Sequence, residues 1–79
     1  MKTLKFKQKT KTFFYRFAHI SGYSIEHIDY NDGTDPRIHF NIAMLGSYTI
    51  VIAPETPEER DELIKIFEAY EAYVEARSL

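Results

Sequence analysis

Three histidines, His19, His27 and His39, and a loop carrying Asp29, Asn31, Asp32 and Asp35 are the residues of this 79-residue chain whose chemistry first suggests a metal. Zinc needs its ligands to converge to within about 2 Å of one point. The strand pattern derived below puts His27 on the face that carries Phe40, and His19 and His39 on the other face near opposite ends of the sheet. The acidic loop departs from calcium-binding spacing: counting from Asp29, Gly33 falls at position 5 and position 12 is Phe40, where a bidentate glutamate is required. It reads instead as a turn held by Asx-type hydrogen bonds. A Gly-rich phosphate loop, a nucleophile elbow and a His-Glu helix motif are all missing, and the lack of cysteine removes thiolate metal sites, disulfides and cysteine nucleophiles. The chain is therefore expected to be non-enzymatic, with neither metal nor cofactor.

What remains is charge and aromatic surface. Residues 1–20 carry Lys2, Lys5, Lys7, Lys9, Lys11 and Arg16 without an acid, whereas all twelve Asp and Glu lie from Glu26 onward. The formal charge is +6 for that first segment and −8 for the rest, four basic residues against twelve acidic, beneath a net charge of −2. Segregation of this kind orients a charged partner and steers its approach. The run from Lys7 to Phe17 interleaves cations with rings, the pattern of a nucleic-acid contact: Lys7, Lys9, Lys11 and Arg16 would meet phosphates while Tyr15 and Phe17 stack on bases. The RNP run and Gly-x-x-Gly loop of known RNA-binding modules are missing, and duplex RNA fits poorly because the last helix is acid-rich and lacks the lysine-rich start of a double-stranded RNA-binding domain.

The elements that must position these groups follow from periodicity. Residues 2–12 alternate lysine with Leu4, Phe6, Gln8 and Thr10, which predicts an edge strand or an extended arm. Residues 13–20 favour a strand by aromatic content, with a helix over 12–21 as the alternative. A tight turn at Ser21-Gly22 leads into a strand over 23–30, and the Asn31–Pro36 segment is a loop. Ile38, Phe40, Ile42 and Met44 alternate with Arg37, His39, Asn41 and Ala43 as a strand, Gly46-Ser47 makes a two-residue hairpin turn, and Tyr48–Ala53 returns. Thr56-Pro57-Glu58-Glu59 is a helix start, with Thr56 capping and Pro57 at the first helical position. A helix over 57–77 gathers Leu63, Ile66, Phe67, Tyr70, Tyr73 and Val74 on one arc and Asp61, Glu68 and Glu75 on another, with Lys65 pairing to Asp61.

The expected fold is α+β: a single domain of residues 1–79, with 1–11 as basic arm or edge strand, 12–54 as the sheet region and 57–77 as the C-terminal helix. An antiparallel three- to four-stranded meander carries that one long helix on one face; the alternative is an α-β-β-β-α order with residues 12–21 helical. Pairing Leu45 with Tyr48, Ile20 with Tyr23 and Tyr30 with Arg37 makes both faces of the sheet apolar. A lone helix covers one of them, so the other needs a cover. Three are open: a helix over 12–21, a symmetric homodimer, or a partner seated on Tyr15, Phe17, Tyr30 and Tyr48. The basic N-terminus lacks the apolar run of a signal peptide and no stretch reaches membrane-spanning length, so the chain reads as soluble and cytoplasmic.

In size, lack of cysteine, richness in Lys, Ile, Phe and Tyr, and sheet-plus-helix build, the chain resembles the small proteins with which phages block host machinery, anti-CRISPR proteins among them. That resemblance implies a protein-binding inhibitor of a host nucleic-acid-handling complex. It would dock through the aromatic sheet face, Tyr15, Phe17, Tyr30 and Tyr48, or through the acidic ridge of Asp61, Glu68 and Glu75. The alternative is a single-stranded nucleic-acid binder using the basic aromatic segment.

Overall fold

A computed structural model describes residues 1–28 and 37–78, with the side chain of Ser78 excepted. Strands β1 (Thr3–Gln8) and β2 (Lys11–Arg16) form an antiparallel hairpin, followed by a 3₁₀ turn (Phe17–His19). Strands β3 (Ile20–Ile28), β4 (Arg37–Met44) and β5 (Tyr48–Ile52) form an antiparallel meander, and helix α1 (Pro57–Ser78) closes the chain. The fold is α+β. Two compact units divide it: Met1–His19 together with the segment from Glu55 onward, and Ile20–Pro54. Tyr30 and the acidic loop around Gly33 lie outside the described residues. No described helix is long and apolar enough to cross a membrane.

In the first unit the basic segment is a hairpin rather than a single extended arm. Its turn is Lys9-Thr10, between the paired residues Gln8 and Lys11, and Lys9 takes a left-handed φ of 54°. Residues 11–16 are strand, so the helical alternative for 12–21 does not hold, and only Phe17–His19 wind into a short 3₁₀ turn. Cross-strand register sets the faces: Leu4 opposes Tyr15, Phe6 opposes Phe13 and Gln8 opposes Lys11 on one side, while Thr3–Arg16, Lys5–Phe14 and Lys7–Thr12 lie on the other. Leu4, Phe6 and Phe13 are buried, as are Leu63, Ile66, Phe67 and Tyr70 of α1, which lies against β1. The helix begins where its capping residues predict, with the Glu59 amide donating to Thr56 Oγ1 at 3.1 Å.

In the second unit the register differs from the expected one, and the difference decides the surface. Met44 pairs with Tyr48, so the β4–β5 connection is three residues, Leu45-Gly46-Ser47, with Gly46 at φ 100° and Ser47 at φ 66°. Against the expected Leu45–Tyr48 pairing this is a slip of one residue, which turns every side chain of β5 to the opposite face. Ile50 and Ile52 therefore join Ile42 and Phe40 on the buried side, and Thr49 and Val51 pass to the other. Ser21-Gly22 is likewise no turn: the chain runs straight through it as a β-bulge between the pairs Ile20–Met44 and Gly22–Ala43, with Ser21 Oγ donating to the Ala43 carbonyl at 3.1 Å. Tyr23 then opposes Ile42 and Ile25 opposes Phe40, and Ile28, not Tyr30, pairs with Arg37. One face of the meander carries most of the apolar residues; the other mixes Ile28, Ala43 and Val51 with Ser24, Glu26, Arg37, His39, Asn41 and Thr49. The expectation that Tyr48, Ile50 and Ile52 share the face opposite Phe40 is corrected by these registers, which place all three on the Phe40 side.

Position on the hairpin separates two phenylalanines of equal size. Truncating Phe6, fully buried on the inner face, is expected to cost about 3–5 kcal/mol, a large part of the stability of a chain this small. Truncating Phe14 on the outer face is expected to change stability by less than about 0.5 kcal/mol. Urea unfolding of Phe6→Ala and Phe14→Ala measures both; comparable losses would mean the faces are assigned wrongly.

Candidate nucleic-acid interface

The outer face of the hairpin consists of Thr3, Lys5 and Lys7 on β1 and Thr12, Phe14 and Arg16 on β2. Lys5, Lys7, Thr12, Phe14 and Arg16 are exposed and Thr3 is half-buried. Phe14 sits in the middle, with Lys5 directly across, Arg16 two residues along its own strand and Lys7 on the diagonal. Neighbours across the ribbon lie about 5 Å apart between Cβ atoms, and alternate residues along a strand about 7 Å apart. The face thus gathers three cations around one ring and contains no acid. At 58% exposure, Phe14 is the most open aromatic side chain among the described residues.

Both ends of the hairpin are tied to α1, which holds this face out. At the tip, the Gln8 side-chain amide donates to Glu59 Oε1 at 3.0 Å, and the same oxygen accepts from the Glu55 backbone amide at 2.8 Å. Lys9 Nζ meets Glu55 Oε2 at 3.2 Å, both side chains being solvated. The Glu59 carboxylate thus reaches back past Thr56 to the Glu55 amide and bridges to β1. At the open end, the Phe17 amide donates to the Lys2 carbonyl at 2.9 Å. The Phe17 ring, 1% exposed, meets Tyr70 edge-on at 5.4 Å and Tyr73 at 5.6 Å. Burial pushes the Tyr70 phenol up from its ordinary value, partly offset by Arg77. The Arg77 guanidinium lies 5.4 Å from the Tyr73 ring centroid.

These ties redistribute the residues that sequence reasoning singled out. Lys7 and Arg16 stand on the outer face. Lys9 is at the turn, engaged by Glu55, and Lys11 covers the Phe13 ring from 4.7 Å on the inner side. Tyr15 is half-buried on the inner face and Phe17 is sealed against α1, so neither ring is presented alongside the cations. Tyr48 is exposed at the start of β5, in the other unit. Asp61, Glu68 and Glu75 are exposed along α1, and Asp61 meets Arg60 at 3.6 Å rather than Lys65. Sequence reasoning missed Lys5 and Phe14. The signal was the alternation of the lysines with Leu4 and Phe6, which becomes a face only once the turn at Lys9-Thr10 is known. His27 faces the Ile38 and Phe40 side, His39 opposes Glu26 and His19 lies in the 3₁₀ turn; no three His, Asp or Glu side chains among the described residues gather as a metal cluster. No known protein family, curated protein or solved structure matches the chain.

The Glu59 bridge is acid-sensitive. The Glu55 amide, then the Gln8 side chain and, more weakly, Lys9 hold its carboxyl below the ordinary glutamate value, against an opposing push from desolvation. A carboxyl lowered by folding stabilises the folded state above the unfolded chain's value and loses that contribution as pH falls through the folded one. Glu59→Gln is expected to flatten the acid limb of the melting temperature against pH, relative to the wild type. Superimposable limbs would show that the bridge contributes nothing.

Proposed function

We propose that this protein binds nucleic acid through the outer face of the β1–β2 hairpin. The observation that carries the reading is the cluster of Lys5, Lys7 and Arg16 on one exposed, acid-free ribbon face, with α1 on the opposite side of that ribbon. Phosphate contacts of this type account for most nonspecific affinity and release counterions. Three phosphate contacts predict a slope of log affinity against log salt of about −2 for single strands, or roughly a 20-fold loss between 50 and 200 mM salt. The double substitution Lys7→Glu with Arg16→Glu is expected to abolish binding without unfolding the chain, because both side chains are exposed. Fluorescence anisotropy of a labelled oligonucleotide across a salt series measures both effects. No binding at low salt sinks the reading.

A second reading, docking onto a protein as an inhibitor of the anti-CRISPR kind, draws support from the outer side of α1. There Asp61, Glu68 and Glu75 are exposed together with Ile64, 36% open. A basic groove on a nucleic-acid-handling protein is the matching surface. The aromatic-face version has little left to stand on, since Phe17 is buried and Tyr15 faces inward. If the ridge is the contact, lysine at positions 61, 68 and 75 should abolish co-purification of a cellular partner that the wild type captures. Undiminished capture would remove the ridge from consideration.

A further inference from the structure

We infer that the hairpin face takes unpaired nucleotides, with one base stacked on the ring of Phe14 while Lys5, Lys7 and Arg16 hold the flanking phosphates. The inference rests on the nucleic-acid reading above and specifies its ligand. Charge alone would be served by any side chain at position 14, and a β-strand facing water ordinarily alternates to a polar residue there, as Thr12 does two positions earlier. This strand places its most exposed ring at that point, ringed by the three cations.

The composition of the face discriminates among polyanions. A two-stranded ribbon fits the major groove of duplex DNA, where Arg, Lys and Thr can meet base edges, so it is the ring and not the cations that discriminates. Paired bases keep their π-faces inside the stack, so a duplex offers the Phe14 ring no base face to stack on. An unpaired base does, whatever its identity, which makes stacking tolerant of sequence. An anionic membrane would attract the same cations, yet stable attachment to lipid takes more apolar area than one phenylalanine supplies.

The test uses the full chain and four probes: a short oligothymidylate, an abasic strand of the same length, a duplex of equal length, and vesicles of phosphatidylserine with phosphatidylcholine. The wild type is expected to bind the oligothymidylate about 5- to 150-fold more tightly than the abasic strand, the range for one aromatic–base stack. Phe14→Ala should bring the two affinities together by weakening the first and leaving the second unchanged. Because the chain has no tryptophan, Phe14→Trp supplies a single indole; its emission should be quenched by oligothymidylate and not by the abasic strand. Equal wild-type affinity for base-bearing and abasic strands overturns stacking while leaving phosphate binding intact. Tighter binding to duplex or to vesicles overturns the choice of ligand. No binding to any of the nucleic acids overturns the nucleic-acid reading itself.

Discussion

A two-stranded ribbon does not stand alone in water, and the first unit of this protein is built around that fact. The hairpin keeps its shape because Leu4, Phe6 and Phe13 give up one entire face to burial, α1 lies against β1, and Phe17 wedges between Tyr70 and Tyr73 at the open end. Each of these side chains contributes on the order of 1.5–3 kcal/mol through removal from water. The polar ties at the tip add direction more than energy: Gln8 and Lys9 meet Glu59 and Glu55 at the helix start, where acids are also favoured by the helix dipole. With one face consumed and both ends fastened, the other face is left free of structural duties. Its residues can be chosen for what they touch outside.

Electrostatics follows from the same arrangement. The lysines and Arg16 come from the acid-free first twenty residues, and the acids of α1 come from the far end of the chain. Packing the hairpin on the helix brings the two populations into one unit, with the ribbon between them. At the tip Lys9 is drawn to Glu55. Lys5, Lys7 and Arg16 stand exposed on the outer face, away from that contact.

Much of this was readable from residue order, and the exceptions have physical causes. The helix start was legible because Thr56-Pro57-Glu58-Glu59 combines a cap, a fixed φ and acids in the first turn, each favouring the same boundary. Strand β4 was legible from four clean alternations. The first hairpin was hidden because Lys9-Thr10 contains none of the usual turn residues and Lys9 adopts a left-handed φ without being Gly or Asn. The meander faces were misjudged because loop length sets register, and Leu45-Gly46-Ser47 admits a two- or a three-residue connection with opposite results. At the candidate site, Lys7 and Arg16 could be picked out by charge alone. Phe14 could not: in Phe13-Phe14 both residues are equally apolar, and only the pairing of Phe13 with Phe6 tells which one turns inward.

The bulge at Ser21 shows how much rests on a single extra residue. Ile20 and Tyr23 are three apart, so in an unbroken strand they would project to opposite sides; the bulge takes the surplus Ser21 out of the ladder and lets both line up with Met44 and Ile42. Pairing Ser21 regularly with Ala43 instead would exchange the two sides of β3 relative to Ile20, setting Gly22 and Ser24 where Tyr23 and Ile25 now lie. Length at this point acts as a clutch between the segment that leaves the hairpin and the ribbon that follows.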